Sequence, residues 1–340
     1  MKGIIFETFG GPSVLTYTTI DDPHAKPGEV LVRVHGAGVN HLDLDIRAGT
    51  SGFDVSPPLV LGREAVGTIV EGGPDARTKV GTNVVVSAYR SCHRCEFCQR
   101  GLINLCQNAI RPGIETNGSY AELIRVPEDQ VYPVDDGHDL MALAGIQLSF
   151  GTAWHGLITR AGIQPGETLL VTGAAGGVGH AAIQLGNLIG ARVIAVVGSA
   201  EKEAFVQTLN PWYVINYKKH SLVGTVLEVT RGSGVDVVFD GVGGRFLEDG
   251  YSAMHRGGRY VLYGAHGGES TLVNLIKVFR SYGTLMSTSG WTEHDLARVL
   301  NLMLEKRIRL NYEVVPLEAA SNAHRRMEQS VVVGKLILRP

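Results

Sequence analysis

The sequence predicts an α/β protein in which a doubly wound parallel sheet is joined to a second, mostly β domain. Three observations carry that prediction. Beyond about residue 165, strand-like and helix-like segments alternate as far as residue 263. Before about residue 125, apolar residues alternate with period two between glycine- and proline-rich turns. A glycine-rich turn, Gly173–Gly179, joins a strand to a helix where the alternation begins. The length of 340 residues fits two domains, because single cores usually stop growing near ~250 residues.

The mostly β part comes first. Val30, Val32 and Val34 alternate with Leu31, Arg33 and His35, the pattern of a half-buried strand. Val66–Val70 and Val84–Val86 are further strands, separated by turns at Lys26-Pro27-Gly28, Gly72-Gly73-Pro74-Asp75 and Lys79-Val80-Gly81. From Asp139 to Ala161 the chain is rich in Ala, Leu and Ile and reads as helix. The α/β alternation follows: strand Leu169–Thr172, helix Val178–Ile189, strand Arg192–Val197, helix Glu201–Leu209, strand Trp212–Asn216, helix Ser221–Thr230, strand Asp236–Asp240, helix Arg245–Met254 and strand Arg259–Tyr263. In the first of these helices Val178, Ala181, Ala182, Leu185, Leu188 and Ile189 share one face. The tail adds a helix, Glu293–Lys306, and two strands, Tyr312–Val315 and Lys335–Leu338.

Composition excludes several classes. Apolar residues at 44% and charged residues at 19% rule out a disordered chain. The charge is near balance, 31 basic against 33 acidic residues, so no field gathers nucleic acid or anionic membrane. The longest apolar stretches are only strand-length, and Glu7 interrupts the N-terminal apolar run. The expectation is a cytoplasmic protein with no nucleic-acid and no membrane partner.

The Gly173–Gly179 segment runs strand, glycine turn, helix. Backbone that approaches a pyrophosphate needs glycine, and a helix N-terminus offers N–H groups to the anion. Ala174, Gly176, Gly177, Val178 and Gly179 are therefore the expected phosphate cradle. The next strand ends at Val197 and Gly198, where NAD-binding domains usually carry an acid for the ribose 2′-hydroxyl. Its absence removes a repulsion against a 2′-phosphate. Ser199, Lys202 and Tyr217, with Lys218, are candidate partners for that phosphate, so NADPH is the expected cofactor. The competing reading has Ser199 and Lys202 only capping and solvating the next helix.

All four cysteines, Cys92, Cys95, Cys98 and Cys106, lie within fifteen residues. Four soft ligands at that spacing suit tetrahedral Zn²⁺ and leave it no open position, so the expected zinc is structural, one per chain. Arg90, His93, Arg94 and Arg100 are placed to offset the site's negative charge.

These motifs, together with Pro27-Gly28-Glu29-Val30, Gly36–Asp43, Thr152-Ala153-Trp154, Pro165–Thr168, Asp240–Gly244 and Gly334-Lys335-Leu336, resemble the medium-chain dehydrogenase/reductase superfamily across essentially the whole chain. The resemblance implies a GroES-like, mostly β catalytic domain formed by residues 1–130 and 286–340, with a zinc lobe at 90–108. It also implies a Rossmann domain at 131–285, an active-site cleft between the two, and a homodimer or homotetramer in which a strand near Leu285–Ser289 pairs across subunits. Thr152, Gly241, Val242, Gly264 and Ala265 are implied to line the cofactor.

In the zinc alcohol dehydrogenases of this superfamily, three positions carry catalytic zinc ligands. Here those positions are Asn40, Arg63 and Leu148. Gly38-Val39-Asn40 and the Ala174–Gly179 turn resemble the quinone oxidoreductase branch instead. The expected function is therefore NADPH-dependent hydride transfer to a quinone or an α,β-unsaturated carbonyl, without catalytic zinc. Two alternatives stand beside it. One is a zinc-dependent alcohol dehydrogenase with atypical ligands such as Asp43 and Glu64. The other is a non-catalytic NADPH-binding protein of the kind found among lens crystallins. Asn40 and Arg63 are the expected donors to the developing oxyanion, with Arg63 pairing to Glu64, Asp43 or Asp45 as the structural alternative. His41 is expected at the pyrophosphate or in proton transfer, and Asp43 to orient Asn40 or Arg63.

Overall fold

The structure, a computed structural model, describes residues 1–340. The chain divides into two compact units, Met1–Leu148 with Arg309–Pro340, and Ser149–Ile308. The breaks expected after residues 130 and 285 fall short of these junctions. The strand Val131–Val134 pairs with Asn83–Val86 and so belongs to the first unit's sheet. The strand Thr284–Ser287 completes the second unit's sheet, and the helix Glu293–Leu304 follows it there.

The first unit is built on a seven-stranded sheet, mostly antiparallel, with Glu29–Gly38 near its centre. That strand pairs with Glu64–Gly72, Leu123–Pro127 and Lys335–Arg339, which closes both termini of the chain into one domain. A second, three-stranded sheet contains Lys2–Phe6. Val30, Val32, Ile69, Val84, Leu336 and Leu338 point into one core with Ile4, Phe6, Ile46 and Tyr120. Two helices here were not legible from periodicity, His41–Ala48 and Ala320–Glu328.

The second unit is a Rossmann domain. Its six-stranded parallel sheet has the order Tyr213–Asn216, Arg192–Val197, Thr168–Val171, Val235–Asp240, Met254–Leu262, Thr284–Ser287. The near-continuous apolar runs of these strands are explained by burial on both faces. Leu170, Ile194, Ile215 and Val238 are fully buried in one core cluster with Val226, Phe246 and Tyr260. The stretch expected as one helix over Asp139–Ala161 is instead segmented. It contains helical turns at Leu140–Leu143 and Thr152–Trp154 and wide π-type turns at Gln147–Gly151 and His155–Arg160. No helix is long and apolar enough to cross a membrane.

Candidate functional site

Three chemically distinct clusters emerge, one in a loop of the first unit, one at a sheet edge of the second, and one buried in the first.

The four cysteines converge as the sequence predicts. Their sulfurs all lie within 4.8 Å of one another. Cys95 Sγ is 3.4 Å from Cys98 Sγ and 4.0 Å from Cys106 Sγ. Sulfurs about 3.8 Å apart are what tetrahedral Zn²⁺ with ~2.3 Å bonds requires. None of the four is in a disulfide. The backbone N–H groups of Arg94 and Cys95 pull the Cys92 thiol down to about 6, favouring the thiolate that a metal needs. The donor set fits a structural zinc. Of the nearby cations, Arg90 is already committed to Asp129 at 2.8 Å.

At the edge of the Rossmann sheet, the turn after Thr168–Val171 leads into the helix Gly177–Ile189. Gly173 adopts φ +55°, and a Cβ on Gly179 would lie 2.3 Å from the Gly173 carbonyl oxygen. Only glycine permits so close a meeting of strand and helix, and the helix's first N–H groups are left for an anion. Asp240, fully buried, fixes the neighbouring turn. It accepts from Val242 N at 2.9 Å, Gly243 N at 3.0 Å, Tyr260 Oη at 2.7 Å and the Thr172 hydroxyl. The Tyr263 ring stacks on Phe239 at 4.4 Å, and its edge packs against Gly241. These contacts bring Gly173, Gly241, Val242 and Gly264 to one edge of the sheet, where dinucleotides lie. Ala265 joins them, accepting from Gly268 N at 2.9 Å. Thr152 stands in the short helical turn Thr152–Trp154. Neither Asp240 nor Tyr263 was singled out as a site residue from sequence, because their partners lie some 70–90 positions away.

The end of the next strand is crowded rather than open. The Ser199 hydroxyl accepts from Lys202 N at 3.3 Å and caps its helix. The Tyr217 hydroxyl lies over Gly198, 2.8 Å from where a Cβ would stand. Burial holds the Lys202 ammonium below its usual range, and Lys218 adds to that effect. Two cationic side chains therefore share this corner.

The third cluster gathers the remaining predicted residues. Asn40 follows the strand Glu29–Gly38 by two residues and caps the helix His41–Ala48. Its Nδ2 donates to Gly38 O at 3.2 Å and to Glu64 Oε1 at 3.1 Å, and its Oδ1 accepts from Lys335 Nζ. Both amide hydrogens are thus spent inside the protein. Glu64, 1% exposed, also takes Lys335 Nζ at 2.8 Å and the Gln147 and Leu148 N–H groups at 3.1 Å each. Gly38 leaves room for that carboxylate, since a Cβ there would meet Glu64 Oε1 at 2.6 Å. Arg63 is buried, donates from Nη2 to Ala88 O at 2.9 Å, and leaves its Nε without a partner. Asp43 Oδ2 accepts from Asn40 N at 2.8 Å and from Tyr120 Oη at 3.1 Å, while Asp43 Oδ1 has no partner. Burial pushes the Asp43 carboxyl up to about 6, against the pull of Asn40 N–H, Arg63 and Lys335. His41 is exposed at the first position of its helix. Lys335, which closes the cluster, belongs to the motif Gly334-Lys335-Leu336, whose sequence alone gives it no role at the site.

The positions that carry catalytic zinc ligands in the resembling dehydrogenases hold Asn40, Arg63 and Leu148 here. None offers a thiolate, an imidazole or an uncommitted carboxylate. Of the two acidic alternatives, Glu64 is taken by four donors, and Asp43 keeps one open oxygen but belongs to no group of converging ligand atoms. A divalent ion does not fit this donor set. The four cysteines are the one group of three or more potential ligands with converging atoms.

Comparison with known proteins extends over the whole chain. Residues 26–136 match the alcohol dehydrogenase GroES-like domain, and residues 177–305 match the zinc-binding dehydrogenase domain. An alcohol dehydrogenase of Geobacillus stearothermophilus is 31% identical over 100% of this chain and 99% of its own. A crystal structure of an NAD-dependent alcohol dehydrogenase superposes with a TM-score of 0.94 at 33% identity, covering all of both chains. The Escherichia coli quinone oxidoreductase complexed with NADPH also spans 100% of both chains, but at a TM-score of 0.83 and 27% identity. These findings overturn the expected quinone or enone reductase. That expectation leaned on Gly38-Val39-Asn40, on one glycine turn and on the lack of zinc ligands at Asn40, Arg63 and Leu148, and the Asn40 amide proves to be an internal packing device bonded to Gly38, Glu64 and Lys335. The higher identity and closer superposition over the same full length point instead to the alcohol dehydrogenases. The chain belongs to the medium-chain dehydrogenase/reductase superfamily.

Proposed function

We propose that this protein is a nicotinamide-dependent alcohol dehydrogenase, interconverting an alcohol and its carbonyl, with one structural zinc on Cys92, Cys95, Cys98 and Cys106. The observation that carries this reading is the whole-chain likeness to an NAD-dependent alcohol dehydrogenase, 33% identity with a TM-score of 0.94. A bound nicotinamide supplies the hydride acceptor and donor. In oxidation, the alcohol carbon gives up a hydride and the hydroxyl a proton, leaving the carbonyl. The chain's own groups bind and orient. The Gly177–Gly179 helix start takes the pyrophosphate, the Asp240-anchored turn holds Val242 beside it, and Thr152 borders the nicotinamide. Arg63 and Lys335 supply fixed positive charge where oxygen becomes anionic, balanced by Asp43 and Glu64. The substrate is a small molecule.

The cofactor preference we propose is NADP(H), a departure from the relatives named NAD-dependent. It is supported by the missing acid at Val197 and Gly198 and by Lys202 and Lys218 in the same corner. We further propose a homodimer, or a tetramer built from it. The strand Thr284–Ser287 is the open edge of its sheet, and Leu275, Phe279, Tyr282 and Leu285 are 52–78% exposed beside it.

The test is a turnover screen of primary and secondary alcohols with NADP⁺ and NAD⁺, and of aldehydes and ketones with NADPH and NADH. Turnover of alcohol–carbonyl pairs supports the reading. Activity confined to other acceptor classes, or none with any alcohol or carbonyl, refutes it. Dissociation constants for NADPH and NADH decide the cofactor, and sedimentation velocity the assembly.

A further inference from the structure

We propose that Arg47, His324 and Tyr120 form a one-directional hydrogen-bond chain that ends on Asp43 and sets its orientation and charge, making Tyr120 and His324 positioning residues of the reaction centre. The inference rests on the reading above that Arg63 and Lys335, balanced by Asp43 and Glu64, supply the charge at that centre. It joins residues far apart in sequence, from three separate parts of the first unit.

The direction of the chain follows from donor chemistry. The Arg47 side chain is 3% exposed and anchored by Gly10 O at 3.0 Å and by Glu328 Oε1 at 2.5 Å. Its Nη1 lies 3.3 Å from His324 Nδ1. A guanidinium only donates, so Nδ1 accepts. His324 is fully buried, and burial together with Arg47 holds it well down, to about 3. The ring is therefore neutral, and its one proton is on Nε2. That nitrogen faces Tyr120 Oη at 3.4 Å, so the hydroxyl accepts and its own proton is turned to Asp43 Oδ2 at 3.1 Å. Tyr120 keeps that proton, because burial and the nearby Asp43 carboxylate raise it well above its ordinary range. Three donors in series thus point the same way, from a fixed cation toward a buried carboxylate.

Asp43 has need of them. It is wholly buried, one oxygen has no partner, and its remaining support is Asn40 N–H. The charged groups acting on it are Arg63 and Lys335. Glu64 and Arg47 have opposite effects on the Tyr120 hydroxyl, Glu64 favouring its protonated form and Arg47 opposing it. If Asp43 takes up a proton, Arg63 loses its strongest counter-ion and Asn40 N–H loses its charged acceptor. The Tyr120 hydroxyl is the neutral donor, contributed from outside the Asn40–Asp43 turn, that favours the ionised form.

The test uses the full-length, zinc-loaded protein. Tyr120→Phe keeps the ring and removes one hydroxyl. The acid limb of the kcat/KM–pH profile is expected to move up by roughly one pH unit, with kcat well above that limb within about twofold of wild type. His324→Gln keeps a donor facing Tyr120 and is expected to hold the wild-type limb, whereas His324→Leu moves it as Tyr120→Phe does. A second readout needs no turnover. The infrared carbonyl stretch of a protonated carboxylic acid is titrated in each variant, and Asp43→Asn identifies the Asp43 band by removing it. Its midpoint is expected to rise in Tyr120→Phe and in His324→Leu by the same roughly one unit. Unchanged midpoints in both, with only a lower melting temperature, would overturn the proposal. If no alcohol or carbonyl is turned over, the functional reading fails, and the infrared midpoint still decides this one. If Tyr120→Phe does not fold, the two His324 variants carry the same comparison.

Discussion

Asp43 and Asp295 are the same device placed in different surroundings. Each is the third residue of a helix, in His41–Ala48 and Glu293–Leu304, and accepts from the backbone N–H of its own cap residue, Asn40 at 2.8 Å and Thr292 at 2.9 Å. Each is buried, at 0% and 1% exposure. Their fates differ because of what comes from elsewhere in the chain. Asp295 receives His155 Nδ1 at 2.6 Å on one oxygen and the Thr159 hydroxyl at 2.6 Å on the other. Burial pushes this carboxyl up, but the hydrogen bonds from His155, Thr159 and Thr292 together outweigh it and hold it at about 2. Asp43 has one oxygen unpartnered, and burial wins. A capping box is local and legible in sequence. Whether its carboxylate becomes a clamp or a poised charge is decided by distant residues, Tyr120 lying 77 positions from Asp43, and Thr159 and His155 lying 136 and 140 positions from Asp295.

The largest expected effect that separates the two is on stability. Asp295→Asn leaves His155 and Thr159 facing an amide and is expected to cost about 3 kcal/mol, read from the denaturant midpoint at unchanged slope. Asp43→Asn removes an under-partnered buried charge, and stability is expected to stay within about 1 kcal/mol of wild type while turnover falls. Equal losses in the two variants would erase the distinction.

The pH dependence of stability has opposite signs at the two sites. Asp295 titrates near 2 when folded and 3.8 when unfolded, so its contribution is complete above about 4 and is lost as pH falls through 2. Asp43 titrates near 6 when folded, so the folded state holds the extra proton and stability from this group declines as pH rises from about 4 to 6. Asp43→Asn is expected to flatten the stability profile across that window. Asp295→Asn lowers it everywhere above pH 4 and converges with wild type near pH 2. A wild-type profile that Asp43→Asn leaves unaltered between pH 4 and 6 contradicts the assignment.

The smallest effect calibrates the scale. Ser199 is a cap with one ordinary bond, to Lys202 N at 3.3 Å. Ser199→Ala is expected to cost about 1 kcal/mol, measured by thermal melting. If the hydroxyl serves only as that cap, the ratio of NADPH to NADH affinity stays the same, and a change in that ratio gives Ser199 a place in cofactor recognition as well.

What sequence made legible follows the same division. The cysteine spacing and the Gly173–Gly179 turn are short-range patterns, and the structure assembles both as geometry demands. The alternating segments from Leu169 onward correspond to strands and helices within a few residues. The helices His41–Ala48 and Ala320–Glu328 escaped because half or more of the residues in each are polar. Several of those polar residues, Asp43, Arg47 and His324, face inward and obscure any apolar period. Lys335 stands in a short motif that gives it no role of its own, and Tyr120 and His324 carry no local signature at all. Their place in the buried cluster comes from closing the N- and C-terminal strands into one sheet. The wide turns at Gln147–Gly151 and His155–Arg160 were likewise invisible, since an Ala- and Leu-rich composition does not distinguish one helical pitch from another.

Glu64 gives the molecule one more property. Its carboxylate grips the amides of Gln147 and Leu148, the last links of the chain before it departs for the Rossmann unit, and it is itself tethered to Lys335 near the far terminus. The point of departure is therefore riveted to the sheet, so a change at residue 335 is felt where the polypeptide leaves its first domain.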